Sequence, residues 1–363
     1  MPPARPSRAA PHEGAGLPPG PEDTVIETVL GPVAASALGP ASMHEHLLSD
    51  ARVLRRPPRE PLPEDTRVSM ANLGFLRWNL LALDDNLVLD DPETAVAELT
   101  PARESGQSAV VDLTTFGLGP RHAELPALSR ASGLHIAVGY GAYLARSHPA
   151  WLRAMDETAL EDLFHRALTD RIPGTGYRAA LLGLLGTSAP VEPAERRVLR
   201  AAARAAARCG AAVAVRLDPD ARLGFEVLGL LTAAGLPPER VVLCNVDEYI
   251  DGPYLRELAA AGATLEWCFG NEAYYRDGYK DATDAERLDA VEELLADGLA
   301  DRMVLGCSVW TKTQLRRWGG MGYDHLLRRI VPALRGRGVA ERLLDTLLVD
   351  GPRRLLDRPG ATG

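Results

Sequence analysis

Two histidines stand one residue apart in the stretch ASMHEHLL, residues 41–48. If this stretch is a strand, His44 and His46 point to the same side, because side chains alternate along a strand. Paired imidazoles are frequent ligands of a divalent metal. Without a metal, an imidazole is the usual general acid or base near neutral pH. The two histidines therefore indicate either a metal site or acid/base chemistry, and the rest of the chain must decide between them.

Short apolar runs alternate with amphipathic helical segments through most of the chain. Eight runs are predicted as strands, at residues 41–46, 108–115, 134–141, 178–186, 211–218, 240–247, 263–269 and 302–308. Helices are predicted between several of them, at residues 195–210, 224–235, 252–262 and 284–299. Alternating strands and helices favour parallel pairing, and eight strands close a (β/α)8, or TIM, barrel. We therefore predict an α/β fold with one barrel domain over residues 23–358. A doubly wound open sheet is the alternative, although neither GxGxxG nor a P-loop follows the first strand.

The composition argues against several classes of partner. Residues 1–22 are rich in Pro, Gly and Ala without an apolar centre, so we predict a disordered tail rather than a signal peptide. The formal net charge is −9, and the lack of a Lys/Arg-rich block argues against nucleic acid or a membrane surface as partner. No apolar run approaches the roughly 18 residues of a membrane helix. The four cysteines are dispersed without a CxxC motif, which favours reduced thiols and a cytoplasmic protein.

Polar residues occur at or just beyond the ends of most predicted strands. In a (β/α)8 barrel, the chemistry lies at the C-terminal ends of the strands. One such residue can simply mark where a strand leaves the core, but the whole set is expected to line one mouth. These strand-end residues are His44, His46, Asp112, Thr114, Thr115, Tyr140, Arg216, Asp218, Asn245, Asp247, Glu266 and Ser308.

Several longer motifs resemble the phosphotriesterase-related family of the amidohydrolase superfamily, from about residue 24 to 357. They include TVLGPV (28–33), MHEHLL (43–48), VVDLTTFGLG (110–119), FGNEAYYRDGY (269–279) and LLVDGPRRLL (347–356). The resemblance implies a (β/α)8 barrel, in agreement with the strand count. It also suggests a homodimer.

The resemblance further implies two divalent metals, usually zinc, which generate a hydroxide that attacks phosphotriesters, lactones or other esters. The family ligands are an HxH on strand 1, a carboxylated Lys or a Glu on strand 4, one His on each of strands 5 and 6, and an Asp on strand 8. His44 and His46 match the HxH. The other positions match Gly183 or Leu184, depending on a one-residue choice of alignment, followed by Arg216, Asn245 and Ser308.

Four of the six ligand positions thus lack a metal donor, and the two lysines of the chain, Lys280 and Lys312, lie elsewhere. Zinc needs three or four N, S or carboxylate donors. Arg216 also argues against a metal, because its guanidinium keeps its charge and repels a divalent cation. We therefore expect no metal cofactor. The alternative is one zinc on His44 and His46, with Asp247 as a third ligand because it shares strand parity with Asn245.

Three functions remain open. The first is a metal-independent enzyme in which His44 and His46 act as acid and base, with Asp247 and Ser308 as further catalytic candidates. Arg216 would bind an anionic group of a small organic substrate, unless it only forms an ion pair with Asp218, Asp247 or Glu266. The remaining candidates for orienting the substrate are Asn245, Tyr143, Asp112 and Glu266.

Proton transfer, elimination, cyclisation or isomerisation fit this first function better than hydrolysis, because the metal hydroxide is missing. A hydroxyl nucleophile at Ser308 would need a geometry that sequence alone does not show. The second function is a lactone or ester hydrolase with one zinc. The third is a catalytically inactive homologue that serves as a binding or partner protein, for which a blocked mouth at Leu184 would argue.

Overall fold

Eight parallel strands follow one another around a central sheet in a computed structural model that describes residues 24–219, 221–272, 274–276 and 279–359. They confirm the predicted (β/α)8 barrel. Each strand pairs with the next strand of the chain. The strands are β1 (Ala41–Glu45), β2 (Ala109–Asp112), β3 (His135–Tyr140), β4 (Leu181–Gly186), β5 (Val213–Arg216), β6 (Val241–Cys244), β7 (Thr264–Cys268) and β8 (Met303–Gly306).

Backbone hydrogen bonds beyond the end of β8 close the barrel. The N–H of Ser308 donates to the carbonyl of His44 at 2.8 Å, and the N–H of His46 donates to the carbonyl of Val309 at 3.1 Å. The histidine stretch of β1 is therefore held directly against the segment that follows β8. This contact brings the first and last parts of the predicted site together.

The strands are buried on both faces, which explains their nearly continuous apolar sequences. Val213 and Leu243 belong to the large cluster that includes the apolar sides of the helices. Their neighbours Ala214 and Val242 belong to a second cluster inside the barrel. Alternation along each strand thus separates a helix-facing layer from an inner layer of smaller side chains.

Helices surround the sheet, and the four predicted ones are confirmed with ends two or three residues earlier. Each predicted range wrongly included the glycine that follows the end of the helix. Gly210, for example, has a φ of 69°, a left-handed conformation that glycine adopts at little cost and that ends the helix. The helices are α1 (Leu73–Trp78), α2 (Pro92–Glu104), α3 (Leu125–Ser132), α4 (Ala150–Ala154), α5 (Glu157–Thr169), α6 (Pro193–Ala207), α7 (Gly224–Ala233), α8 (Gly252–Ala260), α9 (Asp284–Ala296), α10 (Val331–Gly336), α11 (Glu341–Asp345) and α12 (Gly351–Leu356).

Short antiparallel strands lie outside the barrel. Thr24–Ile26 pairs with both Val33–Ala34 and Asp357–Pro359, so the two ends of the described chain meet in one small sheet. Two further pairs join Ser49–Asp50 with Val88–Leu89 and Tyr274–Arg276 with Tyr279–Lys280. The predicted tail, residues 1–22, lies outside the described residues. Among the helices that the structure does describe, none is long and apolar enough to cross a bilayer.

Candidate active site

A small pocket with a cavity volume of about 30 Å³ lies at the C-terminal ends of the barrel strands. Five of the predicted site residues line it, and Glu248 joins them as a residue that the sequence did not single out. The polar wall consists of His46, Ser49, Tyr143, Arg216, Asn245, Glu248 and Ser308. The apolar wall consists of Ala51, Leu54, Leu118, Leu184 and Trp310.

The two imidazoles contact each other at this pocket, which His46 lines and His44 does not. The Nε2 atoms of His44 and His46 lie 3.2 Å apart. The other nitrogen of His46, Nδ1, lies 3.0 Å from the hydroxyl of Thr114, whereas Nδ1 of His44 lies 3.1 Å from Glu266 Oε2. Burial, followed by the positive charges of His44 and Arg216, holds the pKa of His46 well below its usual range. His46 is therefore neutral around pH 7. Glu266 and Thr114 fix the orientations of the two rings through their Nδ1 atoms.

Glu266, a candidate for substrate binding, contacts His44 and is not among the residues that line the pocket. The same oxygen that meets His44 accepts the backbone N–H of Asn245 at 3.0 Å. The Cys268 thiol donates to the other oxygen at 2.9 Å. Gly306 makes this arrangement possible, because a Cβ at that position would lie 2.7 Å from Glu266 Oε1 and 2.9 Å from the Cβ of His44.

Ser308 follows β8 with a φ of 46°, in the left-handed region that a non-glycine residue rarely adopts. Its Oγ lies 3.4 Å from Nε2 of His44. Gln314 holds the Ser308 carbonyl through its side-chain amide at 3.1 Å. The next residue, Val309, donates its N–H to Glu45 Oε2 at 3.0 Å. The loop that carries Ser308 is thus fixed on both sides.

Glu45, the residue between the two histidines, is a buried anchor that the sequence analysis missed. Its Oε1 accepts the hydroxyl of Ser42 at 2.6 Å, and its Oε2 accepts the N–H of Val309. Burial outweighs these bonds and raises the pKa of Glu45 to about 8. The folded protein therefore keeps a proton on Glu45 that the unfolded chain releases near its ordinary pKa of 4.5.

The free energy of unfolding is expected to fall as pH rises between about 5 and 8, because the folded state holds this proton while the unfolded state has lost it. The slope from one such group is at most about 1.4 kcal/mol per pH unit. Glu45→Gln is expected to reduce this slope, measured as urea midpoints across the pH range. Glu104→Gln, at an exposed position, is the matched control. Parallel pH curves for the wild type and Glu45→Gln would contradict the prediction.

Arg216 forms an ion pair on the pocket wall, with a partner that none of the sequence-based alternatives named. One guanidinium nitrogen lies 2.6 and 2.8 Å from the two carboxylate oxygens of Glu248. Both side chains are largely buried, with 11% and 7% of their surfaces exposed. The positive charge predicted for the site is present, and a carboxylate balances it.

Two of the predicted carboxylates are placed outside the pocket wall. Asp112 accepts the backbone N–H groups of Leu47 and Thr114 at 2.8 and 2.9 Å, and burial raises its pKa to about 6. Asp247 accepts the N–H of Cys268 at 2.8 Å and pairs with Arg287 at 2.7 Å. Burial also raises the pKa of Asp247 to about 6. Both side chains thus support the loops, and neither is among the residues that line the pocket.

The donor set does not fit the binuclear metal centre that the resemblance implies. The Nε2 atoms of His44 and His46 converge as two ligands of one metal would. The other four positions present Leu184 or Gly183, Arg216, Asn245 and Ser308, none of which is an anionic donor or an imidazole. Among the described residues, one group of three ligand types also lies close together, formed by His44, Glu266 and Cys268. There, however, Nδ1 of His44 is already hydrogen-bonded to Glu266.

Comparisons with known proteins agree with this architecture. A sequence model of the phosphotriesterase family matches residues 24–356. N-acetyltaurine hydrolase of Homo sapiens is 32% identical over 339 residues, which cover 91% of this chain and 97% of that protein. A solved resiniferatoxin-binding protein from Rhodobacter sphaeroides superposes with a TM-score of 0.88 at 34% identity, covering 92% of this chain and 94% of its own. A lactonase from Listeria monocytogenes, at 21% identity and a TM-score of 0.75, covers 92% of this chain and 98% of its own and shares the fold.

Proposed function

The chain belongs to the phosphotriesterase family, and from this premise we propose that it is a metal-independent enzyme acting on a small anionic acyl compound. The observation that carries the proposal is the state of the two histidines. Their rings bond to each other, to Glu266 and to Thr114, while the other four ligand positions of the family lack metal donors. An imidazole oriented in this way can take up and return a proton without a metal.

The two imidazoles have different roles in this proposal. Glu266 stabilises the positive charge that His44 acquires when it takes up a proton, because a carboxylate beside an imidazolium favours the charged form. His46 remains neutral beside it and can accept or donate a hydrogen bond through Nε2. His44 is therefore the group that exchanges the proton with substrate, and His46 is its polar neighbour.

Arg216 supplies the positive charge for the anionic group, and Glu248 is its counter-ion when no substrate is bound. The apolar wall formed by Leu54, Leu118, Leu184 and Trp310 packs against the organic part. The name of the 32% identical relative, N-acetyltaurine hydrolase, indicates an acyl group next to an anion. This name supports hydrolytic acyl chemistry instead of the proton transfer, elimination, cyclisation or isomerisation that the sequence analysis favoured.

Metal content tests the proposal directly. Protein purified without chelator is expected to contain far less than one zinc per chain, and the His44→Ala/His46→Ala variant is expected to contain the same trace amount. Added zinc is expected to change neither the Tm of the wild type nor that of the double variant. The control His165→Ala removes an imidazole from α5, away from the pocket wall. Stoichiometric zinc that disappears only in the double variant would refute metal independence and would favour the single-zinc hydrolase.

A binding protein is the second candidate function. The apolar wall, including Leu184 at the former ligand position, supports it, as does the name of the 34% identical resiniferatoxin-binding protein. A catalytically inactive barrel would bind an apolar ligand with the same affinity in the wild type and in a His44→Ala variant. The enzyme proposal requires instead that turnover depends on His44.

A further inference from the structure

Ser308, His44 and Glu266 form a hydrogen-bonded series that ends at the pocket. Ser308 Oγ lies 3.4 Å from Nε2 of His44, and Nδ1 of the same ring lies 3.1 Å from Glu266 Oε2. Only Ser308 lines the cavity among the three, while His44 and Glu266 are buried beneath it. We propose that Ser308 is a nucleophile that forms a covalent acyl-enzyme with an amide substrate, with His44 as its base and Glu266 as the positioning residue. This inference rests on the proposed metal-independent function.

The series assigns the protons on His44. A ring nitrogen next to a carboxylate carries the proton, so Nδ1–H donates to Glu266 and the lone pair on Nε2 faces Ser308. This is the arrangement in which a serine hydroxyl is activated by an imidazole that an acid orients. A separation of 3.4 Å is within the looser range seen for such pairs without substrate.

His46 fits the same assignment. Thr114 can accept from Nδ1–H of His46 at 3.0 Å, which leaves the Nε2 lone pair of His46 directed at His44. Once His44 has taken the Ser308 proton on Nε2, the Nε2 lone pair of His46, 3.2 Å away, can accept a hydrogen bond from it.

The backbone at Ser308 is a second, independent observation. A left-handed serine costs conformational energy, and such residues cluster at sites where the strain serves a function. Here the conformation interrupts the alternation after β8 and places Oγ beside the imidazole. Three contacts hold it, namely the Ser308 N–H on the His44 carbonyl, the Gln314 amide on the Ser308 carbonyl, and the Val309 N–H on Glu45.

Asn245 on the same wall indicates which acyl compound fits. Its Oδ1 is buried, and no donor among the described residues reaches it. A buried acceptor without a partner is unfavourable, and the N–H of a substrate amide would supply the missing donor. An ester has no such hydrogen. The proposed substrate is therefore an N-acyl compound whose anionic group reaches Arg216.

The reaction proceeds in two balanced halves. Ser308 Oγ attacks the carbonyl carbon while its proton moves to Nε2 of His44, and a C–O bond forms. The C–N bond then breaks, and the leaving amine takes the proton from His44. Water next attacks the acyl-Ser308 ester, again giving its proton to His44, which returns it to the Ser308 oxygen as the carboxylic acid leaves. The net reaction consumes one amide and one water and releases one amine and one acid.

Acetylation by p-nitrophenyl acetate tests the nucleophile. After brief mixing and acid quenching, peptide mapping by mass spectrometry is expected to find one acetyl group, on the peptide that contains Ser308. The adduct is expected to disappear in Ser308→Ala and to persist in Ser49→Ala. Ser49 is the matched control because it lies on the same wall and its Oγ has no partner among the described residues, hence no base. An acetyl group on a histidine, or one that persists in Ser308→Ala, would overturn the inference.

Glu266→Gln tests whether Glu266 positions His44. The pH profile of acylation is the measurement, because a residue that only packs against His44 would not change it. The acylation rate is expected to fall about 10²–10⁴-fold, and its pH profile is expected to shift to lower pH because the imidazolium loses a carboxylate neighbour. An unchanged pH profile would overturn the positioning role.

If metal-free protein keeps its turnover in Ser308→Ala but loses it in His44→Ala, this inference fails while the proposed function stands. Stoichiometric zinc on the histidines would instead refute the proposed function.

Discussion

The Asp247→Ala variant is expected to lose about 3 kcal/mol of its free energy of unfolding. The Arg287 guanidinium is fully buried, and Asp247 holds it at 2.7 Å. Removing one partner of a buried ion pair costs about 3–5 kcal/mol, because the other charge remains in the interior. The lower end applies here, because Asp284 still lies 3.1 Å from the guanidinium. Since single domains are stable by only about 5–15 kcal/mol, this is a large effect. Urea unfolding at constant pH measures it.

A double variant separates the buried charge from lost packing. Asp247→Leu/Arg287→Met removes both charges and is expected to recover most of the lost stability. The control Glu341→Ala breaks an exposed ion pair with Arg335 and is expected to leave the urea midpoint nearly unchanged. If Asp247→Ala is as stable as this control yet has lost p-nitrophenyl acetate turnover, Asp247 acts in the chemistry and its supporting role is wrong.

The barrel could be predicted because its strands are short, apolar and evenly separated by helices. Every strand lies inside its predicted range, but several predicted ranges extend too far at their C-terminal ends. The run at 108–115, for example, stops as a strand at Asp112. There the carboxylate accepts the N–H of Thr114 and turns the chain. Such local side-chain bonds compete with the sheet and have no signature in a pattern of apolar residues.

Site residues could be predicted where they lie on a strand or directly after it, because side-chain alternation then indicates the direction in which they point. Arg216 lies at the end of β5 and Ser308 just beyond β8, and both line the pocket as expected. Asp247 was expected to face inward with Asn245, because both share strand parity. Asn245, however, is left-handed with a φ of 55°, and a 3₁₀ turn follows at Val246–Glu248. Alternation therefore ends at Asn245, and Glu248 rather than Asp247 comes to the pocket.

The missed residues share a physical reason. Glu45 stands between the two histidines, where strand alternation sends it away from them, and its second donor after Ser42 comes from the distant loop after β8. Glu248 reaches Arg216 from a turn 32 residues later in the chain. Both contacts join segments that are distant in sequence, and no motif marks them. Buried acids at the ends of strands nevertheless require hydrogen-bond or ionic partners. This requirement could have marked Glu45 and Glu248 as residues with a structural or functional role.

The Arg216→Gln variant is expected to weaken binding of benzoate by about 10–100-fold. This range corresponds to a hydrogen bond to a charged group of about 1.5–3 kcal/mol. Benzoate is a suitable probe, because its carboxylate matches the guanidinium and its ring matches the apolar wall of Leu54, Leu118 and Trp310. Neutral benzamide is the matched control, and its affinity is expected to change little. Isothermal titration calorimetry gives both dissociation constants.

Glu248→Gln is expected to have the opposite effect and to tighten benzoate binding, because the carboxylate that competes for Arg216 at 2.6 Å is replaced by a neutral amide.

Asp281 is expected to make benzoate binding depend on pH. Burial and the charge of Glu248 raise its pKa to about 8, so it is neutral below that pH and negative above it. Its ionisation adds a second negative charge that acts on Arg216. Benzoate affinity is therefore expected to fall as pH rises through about 8 in the wild type, and to stay level in Asp281→Asn. If Glu248→Gln and Arg216→Gln both weaken benzoate equally, the ion pair is only structural and Arg216 does not bind the anion.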